Sequence, residues 1–161
     1  MWHIHQQIIR IVKRAIIKLF TIGFAGKSAQ DFFTMLQKVG VTNIIDTRVN
    51  NASQLSGFTK GKDLQYFAAA LVDIGYEHHL EFAPTKELLA MYRDKRITWH
   101  EYEVAYHQLL EDRKILDTTD VSMLDHCVLL CSEHEPDQCH RRLLAEYLQK
   151  ENKAIEIIHL M

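Results

Sequence analysis

Proline and glycine are scarce in this chain, with two prolines and six glycines among 161 residues. That scarcity leaves no room for a long disordered tract, and the length suits one domain able to bury a core of its own. Cysteine is sparse as well. The three present, at 127, 131 and 139, are odd in number and crowded into one stretch. They do not make an extracellular disulfide framework, and they point to a reducing cytoplasm. No excess of one charge exists either: 19 basic residues face 21 acidic ones, for a formal charge of -2. The net field therefore does not pull toward nucleic acid or an anionic membrane, and any anion site has to be local. Long apolar runs are missing too. Lys13, Arg14 and Lys18 interrupt the isoleucine-rich first 20 residues, so neither a signal-peptide core nor a membrane span of ~20 residues forms.

Within those first residues Ile4, Ile8, Ile11 and Ala15 recur at steps of four, three and four, while Gln6, Arg10 and Arg14 fall elsewhere on the wheel. The spacing predicts an amphipathic helical extension over 1–17, followed by one domain over 18–161. From there, short apolar runs alternate with longer periodic segments, as βαβ units do. Strands are expected at 19–23, 43–48, 76–80, 125–131 and 154–159. Helices are expected at 28–39, where Gly40 supplies the stop, and at 62–74 and 138–151. Pro84 and Thr85 open a short helix. Thr98 followed by Glu101 has the capping-box form and starts another. These two make a helical insert before the fourth strand. The expected fold is a three-layer α/β domain with a mostly parallel sheet of about five strands and helices on both faces.

In such sheets ligands lie beyond the carboxyl ends of the strands. Asp46 and Arg48 end strand two and, being two apart, project to one side. Cys131 ends strand four, and Glu133 follows it. Asp137 reads as an N-cap, which puts Cys139 and His140 in a first helical turn, where unsatisfied amides lower a thiol's pKa. Cys139 is thus the candidate nucleophile or contact thiol. Glu133 is the candidate proton carrier, set against a desolvated strand end. Asp46 and Arg48 are expected to position a ligand, and Arg48 or Arg141 to grip phosphate or carboxylate. The structural alternative for the same residues is an ion pair, a small buried thiol and a turn-capping histidine.

Cys131, Cys139 and His140 are also soft metal ligands, but their spacing is unlike paired CxxC knuckles and no metal is assigned. Gly57, Gly61 and Lys62 imitate a phosphate loop. Only three residues separate the glycines, however, and Asp63 stands where Ser or Thr belongs. The polar stretch 49–61 is long enough to be functional. There Ser53, Phe58, Lys60 and Lys62 offer contacts to a ligand or a single-stranded polyanion, against the plainer reading of Phe58 as core. Tyr92, Trp99, Tyr102 and Tyr106 on the insert serve either packing or stacking.

The residues 21–23, Asp46 with Arg48, Ser53, Gly57 with Phe58, Trp99, Tyr102, Tyr106, and finally Cys131-Ser-Glu133 with Cys139-His-Arg141 resemble the family called domain of unknown function 488. The likeness runs from about residue 19 to 159, and its closing Cys-x-Glu and Cys-His-Arg pair carries most of the specificity. It implies a compact α/β domain and no particular activity. Many members continue the first motif with histidine or tyrosine and then serine, whereas Phe24 and Ala25 follow here; paired glycines after strand three are replaced by residues 81–85. The sequence thus predicts a cytoplasmic enzyme or binding protein for a small anionic or nucleotide-like molecule, with the cofactor unspecified. Two rival expectations are a nucleic-acid-associated protein, and an assembly module that forms a homodimer through the N-terminal helix.

Overall fold

The computed structural model describes residues 15–52 and 56–161. Its centre is a five-stranded sheet in the order β3-β2-β4-β1-β5. The strands are β1 (Ile17–Gly23), β2 (Asn43–Asp46), β3 (Gly75–His78), β4 (Cys127–Cys131) and β5 (Ile155–Leu160). Every pairing is parallel. All five residues of β4 are buried, as a strand covered on both faces requires. Strand β1 takes Ile17, and Ala15 and Ile16 before it are not helical. The rest of the expected N-terminal helix lies outside the described residues, as does Ser53.

The helices sort to the two faces by chain direction. From β1 the chain passes through α1 (Ala29–Val39) to β2 and through α2 (Gly61–Val72) to β3, moving toward one edge of the sheet. It then reverses through α3 (Lys86–Arg93), α4 (Trp99–Asp112) and the short α5 (Ile115–Thr118) to β4, and through α6 (His140–Glu151) to β5. Right-handed crossovers in opposite directions put these two sets on opposite faces. The core divides accordingly. Phe32, Phe33, Leu36, Leu64 and Ala68 pack on Phe20, Ile22, Ile44 and Val128. Tyr102, Tyr106, Leu110, Leu143, Leu144 and Leu148 pack on Leu19, Ile45 and Leu129.

Local signals were kept where expected. Ser28 caps α1 by accepting the Asp31 amide at 3.0 Å, and Gly40 stops it at φ 74°. Thr98 and Glu101 form a complete capping box. The insert is moored to the segment after β3. Tyr106 is fully buried and donates its hydroxyl to the Phe82 carbonyl at 2.6 Å, and Arg113 Nη1 donates to the Ala83 carbonyl at 2.6 Å. Tyr106→Phe leaves that carbonyl buried without its donor, and urea unfolding is expected to register a loss of about 1–2 kcal/mol.

Candidate functional site

Adjacent strands β2, β4 and β1 send their following helices to different faces, so a crevice opens beyond their carboxyl ends. A cleft of about 660 Å³ lies there, in the range of small-molecule sites. Its floor is Arg48, Cys131, Cys139 and His140. Its far wall is the helical insert, through Lys86, Leu89, Tyr92, Arg93 and Trp99, with Tyr102 beneath.

Arg48 is 3% exposed. Its Nε and Nη2 grip the Asp46 carboxylate at 2.8 and 2.6 Å, and Nη2 also donates to the Thr59 carbonyl at 2.8 Å. The Phe24 ring lies 5.2 Å from its guanidinium carbon, a cation–π support. Asp46 is fully buried, and its remaining capacity is filled by the Arg48 amide and the Tyr76 hydroxyl, at 3.1 and 2.7 Å. Burial, then the bond to Asp46, pushes the Tyr76 hydroxyl up to about 12, so it stays a donor at neutral pH. Asp46 therefore orients Arg48 and does not itself line the cleft. One atom is left over: Arg48 Nη1 is buried and has no hydrogen-bond partner among the described residues.

Cys131 and Cys139 are both buried, and their sulfurs lie within 4.8 Å of each other and of a ring nitrogen of His140. His140 Nε2 is 2.9 Å from the Thr47 carbonyl, an acceptor only, which assigns the proton to Nε2 and leaves the Nδ1 lone pair toward Cys131 Sγ at 3.7 Å. The expectation that Cys139 is the activated thiol is reversed. Helix α6 begins at His140, not at residue 138, and Cys139 is its N-cap, with its amide donating to the Pro136 carbonyl at 3.1 Å. The neighbouring Cys131 thiol, together with burial, holds the Cys139 thiol well above the ordinary range. Cys131 is lowered, first by the Cys139 thiol, against burial, and further by the Ser132 and Glu133 amides and the Arg141 charge. Cys127 stands apart near the other end of β4, where burial pushes its thiol up to about 11.

The loop between Cys131 and Cys139 is held from below. Arg141 is fully buried and donates Nη1 to the Glu133 carbonyl at 2.6 Å and Nη2 to the His134 carbonyl at 2.9 Å. Arg141 is thus a clamp on the backbone and does not line the cleft, contrary to the expected ligand grip. The Glu133 side chain is exposed at the rim rather than set against a desolvated strand end.

Phe58 packs against Phe32 and Phe33 at centroid distances of 5.6 and 6.0 Å, on the face of the sheet opposite the insert. Lys60 is exposed, and neither residue lines the cleft. The insert aromatics pack on one another and on His140. Trp99 stacks on Tyr102 at 5.1 Å, Tyr102 on Tyr106 at 6.2 Å, and Tyr106 meets the His140 ring edge-on at 5.7 Å. Tyr92 closes the far end, donating to Gln138 Oε1 at 2.8 Å. Sequence reasoning missed Thr47, Tyr76 and the cations Lys86 and Arg93. Thr47 carried a usable signal, since it lies between Asp46 and Arg48 at the end of a strand, and its hydroxyl reaches the Leu130 carbonyl and His140.

No helix among the described residues is long and apolar enough to cross a membrane. No match was found among curated proteins or among solved structures. The sequence profile of the family described as Domain of unknown function DUF488 matches residues 28–148 of the 161-residue chain. That span holds Asp46, Arg48, Cys131, Glu133, Cys139, His140 and Arg141 together with the whole insert, while β1 and β5 fall outside it. The floor and the wall of the cleft are thus the part of the molecule that the profile covers, and by a match of that extent the chain belongs to the DUF488 family.

Proposed function

We propose that the cleft binds a small anionic, nucleotide-like molecule above the floor that holds Cys131. The observation that carries this reading is Arg48 Nη1. A buried guanidinium N–H without a partner costs on the order of 1–3 kcal/mol, and an anionic oxygen in the cleft would satisfy it. Asp46, Thr59 and Phe24 hold the rest of the group in place, so little ordering is needed on binding. Lys86 and Arg93 add positive charge on the wall, against Asp94 and Glu133. Trp99 and Tyr92 offer ring faces for a planar group. Glu133, at the rim, is the proton carrier in this reading.

The nucleic-acid alternative would rest on Lys60, Lys62 and the insert aromatics, because Phe58 packs against α1. The test is a thermal-shift and calorimetric comparison of nucleoside monophosphates, the matching nucleosides and inorganic phosphate. Monophosphates should stabilise the wild type more than nucleosides do. Arg48→Lys should abolish that response and Trp99→Ala should weaken it by about tenfold or more, the worth of one base–aromatic contact. A wild type indifferent to the whole panel, or an unchanged response in folded Arg48→Lys, rules the reading out.

A further inference from the structure

Under the anion-binding cleft lies a constellation that the spacing of its residues conceals. We propose that Cys131, Cys139 and His140 form a three-ligand site for one zinc ion, with its fourth position facing the cleft. The three come from the end of β4, the N-cap of α6 and the first residue of α6, and the loop between them folds back under the clamp of Arg141. Their ligand atoms all lie within 4.8 Å of one another.

The separations suit the ion. Bond lengths of about 2.3 Å to sulfur and 2.0–2.1 Å to nitrogen at a tetrahedral angle require sulfur and nitrogen to stand about 3.6 Å apart. Cys131 Sγ and His140 Nδ1 are 3.7 Å apart. The outer contacts fit as well. A metal-binding histidine ordinarily donates its other ring N–H to a carbonyl or carboxylate, fixing the ring and the tautomer. His140 Nε2 does so to the Thr47 carbonyl at 2.9 Å.

Charge accounts for the burial. Zinc displaces one proton from each thiol to solvent, and two thiolates, a neutral imidazole and a divalent ion sum to zero, so the filled site carries no net charge into a buried location. All three ligands line the cleft beside Arg48. Three protein ligands with an open side describe a zinc site that takes water or a ligand, not a closed structural knuckle.

The test uses the full chain, purified without a histidine tag or chelator. Elemental analysis should find close to one zinc per chain. Cobalt added to the chelator-stripped protein should give the intense visible bands of a tetrahedral ion and a sulfur-to-cobalt charge-transfer band. Cys139→Ser should lower that band by about half, one of two thiolates being lost, and Cys127→Ser should leave it unchanged. Wild-type protein that holds no zinc and gives no tetrahedral cobalt spectrum overturns the proposal, whatever the variants do. The proposal goes beyond the anion-binding reading and fails separately from it. Zinc retained without a nucleotide response sinks only that reading, and a nucleotide response without zinc sinks only this one.

Discussion

Gly23→Ala is expected to cost the protein most of its stability. A Cβ at that position would sit 1.6 Å from the Glu133 carbonyl oxygen and 2.5 Å from its carbon, both backbone atoms, with Arg141 Nη1 at 3.1 Å. No side-chain rotation relieves such a contact. Either the end of β1 leaves its register with β4, where Gly23 faces Cys131, or the loop lifts off the clamp. The second route strands a fully buried guanidinium and separates Cys131 from Cys139. Overpacking against backbone together with the loss of two charge-assisted hydrogen bonds is worth about 4 kcal/mol or more. For a chain of this length that corresponds to a fall in Tm of roughly 10 °C. A variant melting within about 2 °C of wild type would show that the loop yields freely, and that the clamp does not hold the floor of the cleft.

Arg48→Met is expected to have the second largest effect. Truncating the guanidinium leaves the Asp46 carboxylate fully buried with only the Tyr76 hydroxyl and a backbone amide, and breaking a buried pair on one side costs about 3–5 kcal/mol. The companion measurement is the double substitution Asp46→Leu with Arg48→Met, which removes both charges and should recover a large part of the loss. Chemical denaturation of the two singles and the double closes the cycle. If the double falls as far as the sum of the singles, Asp46 and Arg48 do not act on each other and Asp46 is not what holds Arg48 in place. The same double variant separates stability from binding, because it keeps the fold without Nη1 and should give no response to nucleoside monophosphates.

Much of this architecture was legible in the residues. The alternation of apolar runs and periodic segments gave the strand and helix order, because β4 needs an apolar residue at every position and the crossover helices at one position in three or four. The spacing of Asp46 and Arg48 marks them as neighbours, although β2 ends at Asp46 and it is the direct ion pair that keeps Arg48 on its side. What resisted reading was set by contacts between distant parts of the chain. Helix α6 starts two residues later than its amphipathic stretch because Cys139 closes a turn onto Pro136. The opposite shifts of the two thiols follow from their proximity to each other, and no local pattern encodes that. Arg141 looked like a ligand grip because arginine near a helix start usually meets solvent. Here the absence of a side chain at Gly23 lets the loop settle onto β1, and Arg141 is spent on its carbonyls. Phe58, by contrast, follows the plainer reading and packs into the core against Phe32 and Phe33.

The central claim is that Arg48, fixed by Asp46 and supported by Phe24, presents Nη1 to an anion in the cleft floored by Cys131. A crystal structure of the protein with a nucleoside monophosphate tests it most directly. The expected result is a phosphate oxygen within hydrogen-bond distance of Arg48 Nη1 and the base against Trp99 or Tyr92. A phosphate bound elsewhere, with Arg48 Nη1 turned away and the cleft filled only by solvent, would contradict it.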